Sequence, residues 1–146
     1  MQNNNSSDTV TEGIRVQVFP EYIPEQSSPE LNRFVFGYRI IITNEGERWA
    51  KLLARHWIII NADGGQNDVE GPGVVGFTPE LYPGESFEYS SSTPLDTNWG
   101  TMEGGFGMMR EDGEKFDSKI GRFYLVSSQV LAYSAVPNGM KIKTED

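Results

Sequence analysis

Residues 33–44 alternate with a period of two: Phe34, Phe36, Tyr38, Ile40 and Ile42 fall on one side, and Val35, Gly37, Arg39, Ile41 and Thr43 on the other. A helix would scatter the first set around its circumference, whereas a strand gathers it on one face. The second side is mixed, which suits a strand placed centrally in a sheet. The pattern returns along the chain. Ile14, Val16 and Val18 alternate with Arg15 and Gln17, and Phe87 and Tyr89 with Glu88 and Ser90. Met102, Gly104, Phe106 and Met108 oppose Glu103, Gly105, Gly107 and Met109. Phe116, Ser118 and Ile120 continue the alternation until it slips by one at Gly121-Arg122, the mark of a β-bulge. Residues 50–61 end in Trp57-Ile58-Ile59-Ile60, whose β-branched run favours strand over helix.

Turn signals separate these runs. Asn44-Glu45-Gly46-Glu47, Pro83-Gly84 and Asp112-Gly113 mark tight turns. Phe19-Pro20 is expected to end the first strand, and residues 21–32, with Pro24 and Pro29, to form a long loop. Asp63-Gly64-Gly65 opens a glycine-rich loop reaching residue 76. Residues 1–12 read as a flexible N-terminal tail, 13–133 as one domain and 134–146 as a polar C-terminal tail. About seven to nine short strands without a helix make an all-β sandwich or barrel.

With 146 residues, no cysteine and a net charge of −9, the chain suits a single soluble domain without disulfides or zinc-thiolate sites. The charge argues against nucleic acid or an anionic membrane as partner. No signal-like or membrane-spanning apolar run is present, so a cytoplasmic protein is expected.

Gly71-Pro72-Gly73-Val74-Val75-Gly76 has the G-x-G-x-x-G spacing that cradles a pyrophosphate when a strand turns into a helix. Here no helix follows. From Trp57 to Met109 there are eight acids and no Lys or Arg. Gly71, Gly73 and Gly76 therefore have three readings: conformational freedom in a connection, an amide nest for an anion, or a rigid loop that a protein partner recognises. Anion binding would need Arg55, His56 and Arg110 to converge on the loop. Asp63, Asp68 and Glu70 are candidates for weak contact with a divalent ion, although their spacing is not that of an EF-hand. His56, the single histidine, reads as a structural residue within the sheet, and no nucleophile signature accompanies it. Trp57 reads as core. Trp99, in a loop-like setting, is a candidate contact residue.

The blocks Val16-x-Val18, Tyr22 with Gln26-Ser27-x-Pro29, Arg33-Phe34-Val35-Phe36-x-Tyr38 and Leu52-Leu53-x-Arg55-His56-Trp57 resemble the ApaG (DUF525) family. So do Val69-x-Gly71-x-Gly73-Val74-Val75-Gly76, Pro79-x-Leu81-x-Pro83-Gly84-Glu85 and Gly100-x-Met102-x-Gly104, and the likeness spans about residues 12–132. The resemblance implies an immunoglobulin- or fibronectin type III-like β-sandwich. It also implies a link to cobalt and magnesium tolerance and, in eukaryotic relatives, protein contacts. It offers no catalytic residues to carry over. The expectation is a non-enzymatic module that binds another protein and needs no cofactor. The alternative is a small-ligand protein taking a nucleotide polyphosphate or a divalent cation at the glycine loop. Free edge strands would allow a homodimer, which nothing in the sequence requires.

Overall fold

A computed structural model describes residues 5–127, and the expected C-terminal tail lies outside them. Nine strands form two antiparallel sheets packed face to face. The first sheet runs in the order β1 (Ser7–Thr11), β2 (Ile14–Tyr22), β3 (Phe34–Asn44), β7 (Ser86–Leu95). The second runs β5 (Gln66–Pro72), β4 (Ala50–Asn61), β8 (Trp99–Arg110), β9 (Lys115–Val126), with the short β6 (Glu80–Leu81) also on β4. The choice between sandwich and barrel thus resolves to a sandwich.

The alternating residues fill the space between the sheets. Ile14, Val16 and Val18 of β2 lie beside Phe36, Ile40 and Ile42 of β3 on one inner face, met from the other sheet by Leu52, Trp57, Phe106, Phe123 and Leu125. Tyr38 packs edge-on to Trp57 with ring centres 5.5 Å apart. β3 is central, as its mixed second face required, and its Val35 is covered by the 23–33 loop, where Ile23 N–H donates to the Val35 carbonyl. The expected bulge is present: between the pairs Gly104↔Ile120 and Met102↔Phe123, Gly121-Arg122 oppose the single residue Glu103.

Three expectations are corrected. Residues 1–12 are not wholly a tail, because Ser7–Thr11 pairs along β2. Their alternate polar side chains lie over β9, a contact that composition does not reveal. Phe19-Pro20 does not end β2, which continues to Tyr22 opposite Phe36. β1 stops at Val18, so Pro20 lies on an edge, where proline is tolerated. The stretch before the glycines is not a loop either. Residues 66–72 form β5, paired with β4 from Ile60↔Gln66 to Ala54↔Pro72. Backbone pairing with β4 overrides the weak strand preference of Asn, Asp and Gly. No helix among the described residues is long and apolar enough to cross a membrane.

Candidate functional site

The glycine segment detours outward from the edge of β4. Gly73 N–H donates to the Leu53 carbonyl (2.8 Å), and Leu52 N–H to that of Pro79 (2.9 Å), so the chain leaves and rejoins β4 at adjacent residues. Leu53 is itself the extra residue of a bulge, between Leu52↔Met108 and Ala54↔Gly107. Gly73 has φ +60°, and a Cβ there would meet the Phe77 carbonyl. Val74 and Phe77 exchange both backbone hydrogen bonds, 2.8 and 2.7 Å, around the two-residue turn Val75-Gly76. Both turn residues have positive φ, +40° and +87°. Such a turn favours Asn-Gly, and a β-branched residue in its first position is strained by about 1–2 kcal/mol.

Val74 is fully buried, whereas Val75, Phe77 and Tyr82 are 49%, 59% and 58% exposed. Phe77 leans on Phe87 of β7, ring centres 5.8 Å apart, so the turn spans from one sheet to the other. Beside it lies an open groove of about 680 Å³, lined by Phe77, Pro79, Leu81, Glu85 and Phe87. Buried Asn44 braces the far wall. Its Nδ2 donates to the carbonyls of Arg48 and Leu81, and its backbone bonds Gly84 and Glu85.

Two of the motif's amides, those of Gly73 and Val74, are not free to line an anion nest, and Pro72 has none. The N–H groups of Gly73, Val74 and Phe77 already donate to carbonyls. The segment instead offers acceptors: Arg55 Nη1 donates to the Pro72 and Gly73 carbonyls, both at 2.9 Å. Gly71 makes room for this. A Cβ at that position would lie 2.9 Å from Arg55 Nη2. Burial pushes the phenols of Tyr38 and Tyr89 up, with the Arg55 charge opposing, and the Tyr89 hydroxyl is buried without a hydrogen-bond partner.

Of the other predicted residues, His56 lines one cleft with Arg55, Glu70 and the first glycine, Gly71, and Arg110 is not among its walls. His56 points outward from the sheet, its Nε2 3.3 Å from Asp117. Arg110 ends β8 opposite Ala50, near the base of the turn, but is 6% exposed and committed elsewhere, donating to the Glu12 and Arg48 carbonyls and stacking 4.3 Å above Phe116. Asp68 and Glu70 share the outward face of β5, opposite Ile58 and His56, while Asp63 lies in the turn before it. Among the described residues no group of three or more His, Asp or Glu is placed to hold a metal. Trp57 is core, as expected. Trp99 is 39% exposed but begins β8 opposite Val126, at the end away from the glycine turn. The sequence reading missed Phe77 and Val75. A Val-Gly turn followed by an aromatic and Thr78-Pro79, with no strand long enough to bury them, was the available signal.

Residues 24–110 match the sequence profile of the ApaG domain, DUF525. Protein ApaG of Dechloromonas aromatica is 48% identical over 125 residues, 86% of this chain and 98% of that one. Protein ApaG of Rhodospirillum centenum is 50% identical over 118 residues, 81% and 91% of the two chains. A crystal structure from Bordetella pertussis, described as an ApaA protein, superposes with a TM-score of 0.76 at 44% identity, covering 78% of this chain and 93% of that one.

Proposed function

The chain belongs to the ApaG domain family, and on that footing we propose that it is a non-catalytic module that binds another protein through the glycine turn and its groove. The carrying observation is Phe77, 59% exposed on the wall of an open groove, with Tyr82, 58% exposed, next in the chain to its Leu81 wall. Large aromatic anchors next to a concave, partly apolar surface are what protein contacts use. The turn presenting Phe77 is held by two mutual backbone bonds and carries strain at Val75. Strain of this kind persists where the surroundings over-determine it, and it concentrates at functional positions. Glu80 and Glu85 border the groove, with Lys51 cross-strand from Glu80 and Glu85 Oε1 accepting from the Tyr82 N–H, so the surface favours a largely neutral partner face. The family's association with cobalt and magnesium tolerance is compatible with such a module if its partner, in the cytoplasm, handles the metal.

The test compares baits in native extract: wild type, Phe77→Ser with Tyr82→Ser, and Leu31→Ser, a 74% exposed control at the other end of the sandwich. A partner held by wild type and by Leu31→Ser, and reduced about tenfold by the double variant, supports the reading. Equal retention by the double variant, or no partner with any bait, overturns it. Val75→Asn sharpens the test. It is expected to stabilise the fold by about 1 kcal/mol in urea unfolding while weakening partner retention.

A further inference from the structure

β5 is the last strand of its sheet, so one row of its backbone N–H and C=O groups faces outward along residues 66–71, short of Pro72, which has no N–H and whose carbonyl accepts from Arg55. Such an edge is a template for another extended chain. Its side chains alternate in chemistry. Asp68 and Glu70 point to the outer face with Ile58 and His56, and Val69 points inward with Trp57. Past Glu70 the outer face opens into a cleft of about 430 Å³ lined by Ala54, His56, Glu70, Gly71, Gly107 and Asp117, and by Arg55, whose Nη1 is held by the Pro72 and Gly73 carbonyls. A chain added to β5 would place alternate residues directly opposite Asp68 and Glu70, with the longest of them reaching toward this cleft. Cross-strand positions reward opposite charge and penalise like charge.

This charge pattern selects the occupant. A second copy pairing β5 against β5 would set Asp68 and Glu70 against the same carboxylates, on a chain of net charge −9. An extended segment with Lys or Arg at every second position meets both acids and the cleft. We propose that β5 is a docking strand for an extended basic segment of another protein, which adds to the sheet and sets its cations against Asp68 and Glu70. The inference rests on the reading that the chain binds protein but uses a different surface, so Phe77 and Tyr82 are not part of it.

A synthetic peptide of about eight residues, alternating lysine with valine and threonine, matches the length of β5 and serves as the probe for the full chain. Nuclear magnetic resonance with amide exchange is expected to show shifts and new protection confined to residues 66–72 and their neighbours on β4. A shuffled peptide of the same composition, with its lysines in one block, is expected to bind about tenfold more weakly. Asp68→Lys with Glu70→Lys should lose the basic peptide and gain one carrying glutamate in place of lysine, a swap that a merely misfolded variant would not show. Phe77→Ser with Tyr82→Ser should bind the probe as wild type does, so failure of the groove reading leaves this one testable. Equal binding of ordered and shuffled peptides, protection at β7 instead of β5, or concentration-dependent self-association through residues 66–72 would each overturn the proposal.

Discussion

The two side seams of the sandwich are closed in different ways. On one side β1 belongs to the first sheet yet is also hydrogen-bonded to the second. Thr9 Oγ1 donates to the Lys119 carbonyl (2.8 Å), Lys119 N–H donates to Thr11 Oγ1 (3.1 Å), and Tyr124 N–H donates to the Asn5 carbonyl (2.9 Å). The bulge at Gly121 lets β1 approach, since a Cβ there would lie 2.7 Å from Thr9 Cγ2. On the other side β5 and β7 each end their sheet. The seam between them is covered by side chains: buried Val74, Phe77 on Phe87, and Arg55 clamping the Pro72 and Gly73 carbonyls. Hydrogen bonds thus tie the two sheets at the first seam, whereas at the second the strand edges face outward. Both proposed contact surfaces lie along the second seam, because an edge can recruit a partner only where its own chain has not already filled it.

The comparison is broken most severely at Gly73. Gly73→Ala forces a side chain into a φ of +60° against the Phe77 carbonyl, and is expected to destabilise by about 3 kcal/mol in urea unfolding. Amide exchange should rise first in residues 66–79 while β1 and β9 keep their protection; uniform loss would mean that the side-chain seam does not open on its own. The closed seam is tested by Thr9→Val with Thr11→Val, which keeps shape and removes two hydroxyl bonds to Lys119. About 1–2 kcal/mol is expected, with faster exchange along β1. No change would mean that β2 alone holds β1.

The smallest effect concerns acid. The Arg15 guanidinium, bonded to Asp8 at 2.7 and 2.9 Å, holds that carboxyl below its ordinary value of 3.8, against a smaller opposing effect of burial. A depressed carboxyl stabilises the fold above its unfolded value, and that contribution is lost as pH falls through the folded value. β1 should therefore loosen below about pH 4, by a few tenths of a kcal/mol because the pair is solvent-exposed. Asp8→Asn should flatten that dependence. An unchanged acid limb in the variant would assign it to other carboxylates.

The sequence by itself determined the strands that bury one face, because alternation is a local property: Phe34 to Ile42, the stretch 50–61 and the bulge at Gly121 are all legible from period and phase. The family blocks were legible in the same way, as residues at fixed spacing. Tertiary structure decided everything that depends on a partner strand. Gln66–Pro72 lacks strong strand preference, and Ser7–Thr11, despite its β-branched Thr9-Val10-Thr11, has no alternating apolar face; both are strands because β4 and β2 offer them hydrogen-bonding rows. The glycine motif shows the same division. Its spacing is plain in the chain, but whether its amides point at a ligand depends on where Leu53 and Phe77 lie. Folding gives the Gly73 and Val74 amides to carbonyls, turns the Pro72 and Gly73 carbonyls toward Arg55, and leaves Phe77 exposed on the groove wall. Spacing specifies the conformations a backbone can adopt, whereas the direction in which its polar groups point is fixed only by the strands that surround it.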